Sequence, residues 1–348
     1  MPRLAFATVV ALAFFGSAAP AQEHVHPSAE RLGTVHFQTS CSPPAQPTFN
    51  RAVAWLHSFE FASAIRSFEE VLAADSTCAM AHWGIALSRW SNPMTAGSRA
   101  APMLARGRAA FDAAMRTAGP AVTAREKEYI AAVGELYRDF ETTSQRERIA
   151  AYERAMAGLA ARHPDDAEAS IFHAISLVAA ASPTDKTYAN QRKAGAVLEQ
   201  LWTKQPEHPG LAHYIIHTYD YPALAAEASR AATTNASIAP SAAHALHMPS
   251  HTFTRTGMWR ESIETNLRSR DIALRTASVA EALHALDYAA YAYLQLRRTA
   301  DAKGILDQLP ALERRFDVNA VTGAAPGQAG VFALAAIPAR YALEREAW

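Results

Sequence analysis

From residue 45 onward, apolar residues recur at spacings of three and four, the period of a helix with one buried face. The segment Phe61-x-x-Ala64-x-x-x-Phe68-x-x-Val71 is a clear case, closed by the turn residues Asp75 and Ser76. Related patterns return at Gly257-x-Trp259-x-x-Ser262 and Thr299-x-x-Ala302, where a turn or polar residue comes first and a small residue closes each motif. Such small residues allow two helices to cross closely. Thr123 and Glu126 form a capping box, and Asp165 and Asp166 follow Pro164 at another helix start. Alternating strand patterns between turn residues are nearly absent, so the predicted class is all-α. Helix pairs are predicted to begin near Ala45, Ala79, Thr123, Asp166, His208, Ser241 and Glu281, with inserts at residues 91–101 and 181–190. An eighth begins near Gly330 and reads as an incomplete repeat at Trp348, either the end of a fragment or a lone helix that acts as a cap.

The 34-residue helix–turn–helix spacing, and the run Ala79-Met80-Ala81-His82-Trp83-Gly84-Ile85-Ala86, resemble tetratricopeptide repeats. The resemblance covers nearly all of residues 45–348 and implies an α-solenoid of antiparallel helix hairpins wound into a superhelix. Its first helices would line a concave groove that binds a peptide or protein partner. Residues 32–41, 78–84, 213–222 and 244–251 are also similar to a narrower group of exported bacterial tetratricopeptide proteins, from which no catalytic role is carried over.

The beginning of the chain has another texture. Arg3 precedes an apolar run over residues 4–15, followed by Gly16-Ser17-Ala18-Ala19-Pro20-Ala21. This is the pattern of a secretory signal peptide, residues 1–21, cut after Ala21; the run is shorter than the roughly 20 residues that span a bilayer. Residues 22–44 are polar and proline-rich and read as an extended segment. Export places Cys41 and Cys78, the only cysteines, in an oxidising compartment, periplasmic or extracellular, where a disulfide between them is expected over two free thiols. Lys+Arg and Asp+Glu are equal at 33 each, with no basic run, so nothing draws the chain to nucleic acid, and no later stretch is apolar enough to span a membrane.

The chemical signal is histidine. Six of the 14 lie in one stretch: His213, His217, His244, His247, His251 and His284. On a helix, His244, His247 and His251 project within an arc of roughly 60°, and His213 and His217 are an i, i+4 pair. Aligning the Gly257 and Arg297 turns matches His244 to His284, His247 to Asp287 and His251 to Tyr291. The repeat resemblance implies that these positions face the groove. Neutral imidazoles with a carboxylate are the donors that Zn²⁺, Cu²⁺ or Ni²⁺ accept, with Asp287 as a ligand and Asp220 as a ligand or an orienter of one. Tyr214, Asp220, Arg255 and Tyr291 are further candidates to line the groove, Arg255 as a holder of a ligand carboxylate. Pro249 either kinks this helix or begins a new one, leaving His244 and His247 in the segment before it. His57, His82 and His173 read as core histidines, and His24 and His26 as part of a polar tail.

No HExxH, GxSxG, GxGxxG or P-loop motif is present, and Cys41 and Cys78 are spent on the disulfide. Three readings follow. The first is an exported solenoid that binds a peptide or protein in a His- and Tyr-lined groove. The second is a metal-binding protein or metalloenzyme using the histidine cluster. The third is a set of histidines that only join neighbouring repeats.

Overall fold

The computed structural model describes residues 30–94 and 99–346. The predicted signal segment, His24 and His26 lie outside the described residues. All regular structure among the described residues is helical. Helices α1 (Gln46–His57) and α2 (Phe61–Ala74) pack together, as do α3 (Ala79–Trp90) and α4 (Ala101–Thr117), α5 (Ala124–Glu135) and α6 (Gln145–Arg162), and α7 (Ala167–Ala179) and α8 (Ala189–Lys204). Then come α9 (Pro209–Thr218), α10 (Ser229–Ile238), α11 (Ala243–His247) and α12 (Pro249–Thr256), the last two packed on α13 (Trp259–Arg275). The chain continues through α14 (Val279–Gln295), α15 (Thr299–Leu306) and α16 (Leu309–Glu313) to α17 (Gly327–Leu343), which returns onto α14.

Local chemistry sets the boundaries. Thr123 and Ser144 each cap a helix reciprocally with Glu126 and Glu147, and Asp166 accepts from the Ala169 N–H. The small residues of the repeat pattern, Ala64, Ser262 and Ala302, are all buried at helix crossings. At one such crossing a Cβ on Gly84 would lie 2.2 Å from Phe68 Cζ, so α2 and α3 approach only because residue 84 has no side chain. Pro249 occupies the first turn of α12, where its missing N–H has no partner to lose. The backbone stays right-handed helical through Met248, and His244 and His247 therefore belong to the short helix before it.

Residues 31–42 are extended but packed rather than loose. Leu32, Val35 and Phe37 are buried, and the Thr34 N–H donates to Glu207 O at 2.9 Å. Phe37 packs edge-on against Phe49 and Trp83 in an aromatic core. Cys41 and Cys78 form the expected disulfide, with Cα atoms 4.8 Å apart. Among the described residues, no helix is long and apolar enough to cross a membrane.

One feature of the first hairpin positions the site. The turn between α1 and α2 is Ser58-Phe59-Glu60, and Phe59 sits at φ +57°, a left-handed conformation that costs a bulky L-residue roughly 1–2 kcal/mol. Its ring is buried against imidazoles from α9 and α11.

Candidate metal centre

The six histidines converge as two trios that touch. The inner trio is His213 and His217 from α9 with His244 from α11, all buried. One ring nitrogen of each lies within 4.8 Å of the others. The His213 Nδ1–H donates to His57 O at 2.6 Å, and the His244 Nδ1–H donates to Glu281 Oε1 at 3.1 Å. Each bond fixes the tautomer and leaves Nε2 with its lone pair free. The Nε2 atoms of His213, His217 and His244 are all buried and have no hydrogen-bond partner. A buried polar atom left unpaired costs about 1–3 kcal/mol, and three such nitrogens around one point form a group that could hold a metal ion.

The outer trio is His247 (α11), His251 (α12) and His284 (α14). The His247 Nδ1–H donates to Asn266 Oδ1 at 2.7 Å. That amide is oriented by its own Nδ2, which donates to Ser262 O at 2.7 Å. The His251 Nδ1–H donates to Asp220 Oδ2 at 2.8 Å. Both Nε2 atoms then present lone pairs, yet they face each other at 3.0 Å. Only a shared proton or a bound cation relieves that approach. Two nitrogens about 2.0–2.1 Å from a metal lie ~3.0 Å apart at a right angle and ~3.4 Å apart at the tetrahedral angle, so this spacing suits a cation. The trios are continuous: the His244 and His247 ring centroids are 6.0 Å apart, and those of His217 and His251 6.3 Å.

Burial keeps His213, His217, His247 and His284 neutral. It pushes His213, His217 and His247 well below the ordinary histidine value, reinforced by neighbouring imidazoles, and lowers His284 to about 4. Neutral imidazole is the ligating form. Carboxylates stand behind the ligands. Burial opposes ionisation of Asp220, but His251 and the guanidinium of Arg255 hold it well below the usual carboxylate range. Glu281 is likewise lowered despite burial, chiefly by His244. Glu60, which accepts the His244 backbone N–H at 3.1 Å, is pushed up to about 8 by burial and by Glu281. Phe59 closes the inner side, its ring centroid 4.6 Å from His213 and 5.3 Å from His217.

A third grouping, His57, Glu168 and His208, contrasts with these. The Nε2–H groups of His57 and His208 each donate to Glu168 at 2.9 Å. His57 Nδ1 accepts from the Tyr214 hydroxyl at 3.0 Å, and His208 Nδ1 from the Gly210 N–H at 3.1 Å. Every ring nitrogen is paired. Burial opposes the Glu168 charge, yet the two imidazoles hold its carboxyl well below the usual range. This network is a structural brace behind His213. Glu168→Gln places an amide N–H against a donor and is expected to reduce stability by roughly 3 kcal/mol while leaving metal uptake unchanged. Urea unfolding and metal titration of the same variant check both halves.

Three sequence expectations change. Tyr214 faces no groove; it is buried, with its hydroxyl on His57, because all ten residues of α9 are enclosed by neighbouring helices. Asp287 stands outside both trios, with Oδ1 3.4 Å from Arg340 Nε, and is pushed up to about 6 by burial. His82 and His173 are only partly buried, whereas His57 is a fully paired core histidine. Asp220, Arg255 and Tyr291 do share a cavity with His251 and His284, although Arg255 is bound to Asp220. Sequence spacing missed Phe59, Glu60, Asn266 and Glu281. Only Glu281 had a local sign, three residues before His284 on the same helix.

No family model matches the chain, and no curated protein matches it.

Proposed function

We propose that this chain is a transition-metal protein, its six-histidine centre holding Zn²⁺, Cu²⁺ or Ni²⁺. The observation that carries this is the set of three buried, unpartnered Nε2 atoms on His213, His217 and His244. Anchored Nδ1–H groups on carbonyl, carboxylate and amide oxygens are the outer-sphere pattern that ligating histidines need. An all-imidazole donor set suits these three ions over Mg²⁺ or Ca²⁺. Three protein ligands leave a coordination position open, as Lewis-acid chemistry requires.

The test is elemental analysis of residues 22–348 purified without a histidine tag, beside the His217→Ala/His251→Ala variant. One to two equivalents of metal, lost in the variant, is the expected result. A folded wild-type protein that takes up none of the three ions overturns the reading.

The architecture we propose is a tetratricopeptide-like superhelix, supported by the succession of helix pairs and the small residues at their crossings. Export to the periplasm or medium is supported by the disulfide. A second reading, binding of a protein or peptide partner, is favoured by the exposed Val331, Phe332 and Leu343 of α17. The buried His213 and His247 do not serve it, since no partner reaches them.

A further inference from the structure

The two trios differ in access. Phe59 seals the inner one, whereas the outer one forms a wall of a cavity of about 290 Å³. His251 and His284 line it beside two carboxyls, Asp220 and Asp287, and two guanidiniums, Arg255 and Arg340, with the aromatic rings of Tyr288, Tyr291 and Phe332. We propose that this cavity binds a small organic anion with a flat apolar body, of which an aromatic carboxylate is the simplest case. Its charged group ligates the ion held by His247, His251 and His284. The proposal rests on the metal reading above.

Charge is the first argument. Three neutral imidazoles leave the full double charge on a divalent ion, and the two carboxyls on the cavity already face guanidiniums, Asp220 that of Arg255 and Asp287 that of Arg340. An uncompensated charge in a partly buried site is unfavourable, so an anion completes the centre. Arg255 and Arg340 add two guanidiniums on the same cavity. Arg255 is hydrogen-bonded to Asp220, whereas Arg340 faces Asp287 at 3.4 Å, beyond ordinary hydrogen-bond length, and is the guanidinium that a ligand anion would draw away more readily. The walls supply the second argument. Tyr288 packs against His251 at 5.1 Å between centroids, Arg340 lies over the Tyr291 ring at 5.1 Å, and Phe332 is 58% exposed at the mouth. Exposed aromatic surface beside cations recognises a flat anion over a purely hydrophilic one. The volume falls at the low end of the roughly 300–1,000 Å³ of ligand pockets, which limits the guest to a small molecule.

Co²⁺ in place of the native ion makes the coordination sphere visible by its d–d absorption. The full chain loaded with Co²⁺ is titrated with benzoate, acetate and the neutral benzamide. Benzoate is expected to change the spectrum with a Kd about ten-fold tighter than acetate, and benzamide to leave it unchanged. Arg340→Ala is expected to weaken benzoate about ten-fold at unaltered Co²⁺ content, and Phe332→Ala to bring benzoate and acetate to similar affinities. Should Arg340→Ala fail to fold, Phe332→Ala decides, its side chain being exposed. A Co²⁺ spectrum indifferent to benzoate, or variants that bind benzoate as the wild type does, overturns the anion site while leaving the metal reading standing. A wild-type protein that takes up no Co²⁺ overturns both.

Discussion

Excess Zn²⁺ added to the metal-free protein is expected to raise its melting temperature by about 6 °C for each trio it fills, and His217→Ala to remove the inner trio's share. An ion present at a thousand times its Kd stabilises the folded state by about 4 kcal/mol through mass action alone. At about 2.1 cal/mol/K of unfolding entropy per residue, each kcal/mol moves the midpoint of a 348-residue chain by roughly 1.5 °C. The ion also satisfies the Nε2 atoms of His213, His217 and His244, which are otherwise buried without partners. His217 is the informative residue, because its Nε2 is an orphan and no bond to a neighbouring element is lost with it. His213 and His244 also tether α1 and α14 through their Nδ1–H groups, so their removal mixes metal loss with lost packing. Differential scanning calorimetry at equal free Zn²⁺ distinguishes the outcomes. Equal Zn²⁺-induced shifts in wild type and His217→Ala would sink the inner site.

Without metal, the protein is expected to lose stability steeply as pH falls from 6.5 towards 5. His213, His217, His247 and His284 are all depressed by burial, His284 to about 4, whereas in the unfolded chain they titrate near 6.5. Between those limits the unfolded state binds protons that the folded state refuses. The stability is present above pH 6.5 and is lost as pH falls towards the folded values. Two carboxyls work the other way. Glu60 is raised to about 8 and Asp287 to about 6, so each favours the folded state more as pH falls through its window. His57, His82 and His173 are lowered by burial as well, so the imidazoles outnumber the two carboxyls and the net effect is a loss of stability as pH falls. Urea unfolding at pH 7, 6 and 5 in the presence of a chelator measures the slope. A flat profile would mean that the imidazoles are hydrated and titrate normally in the folded protein, against the buried centre described above.

The histidine spacing made part of this centre legible. His213 with His217, and His247 with His251, are i, i+4 pairs, and local helix geometry alone brings each pair together. The same geometry misled at Tyr214. It sits beside His213 in sequence, but α9 is buried on every side, so its periodicity marks no face as open. Asp287 was aligned with His247 by repeat position, yet its carboxylate turns to Arg340, because the charge on α17 is nearer than the imidazoles. Nothing in the sequence connects Phe59 and Glu60 to residues over 150 positions away.

The sequence by itself determined the helical class, the start of the first helix of each pair to within three residues, the disulfide and the concentration of imidazoles between residues 213 and 284. These depend on caps, turn residues, hydrophobic period and cysteine count, all of which act over a few residues or through composition. Tertiary structure decided that the histidines divide into a sealed trio and an open one, which nitrogens are held and which are left free, and that the first hairpin's own Phe59 fills the space beside the inner trio. Those outcomes depend on helices far apart in the chain meeting at a common point, and on the exclusion of water there, which no local pattern encodes.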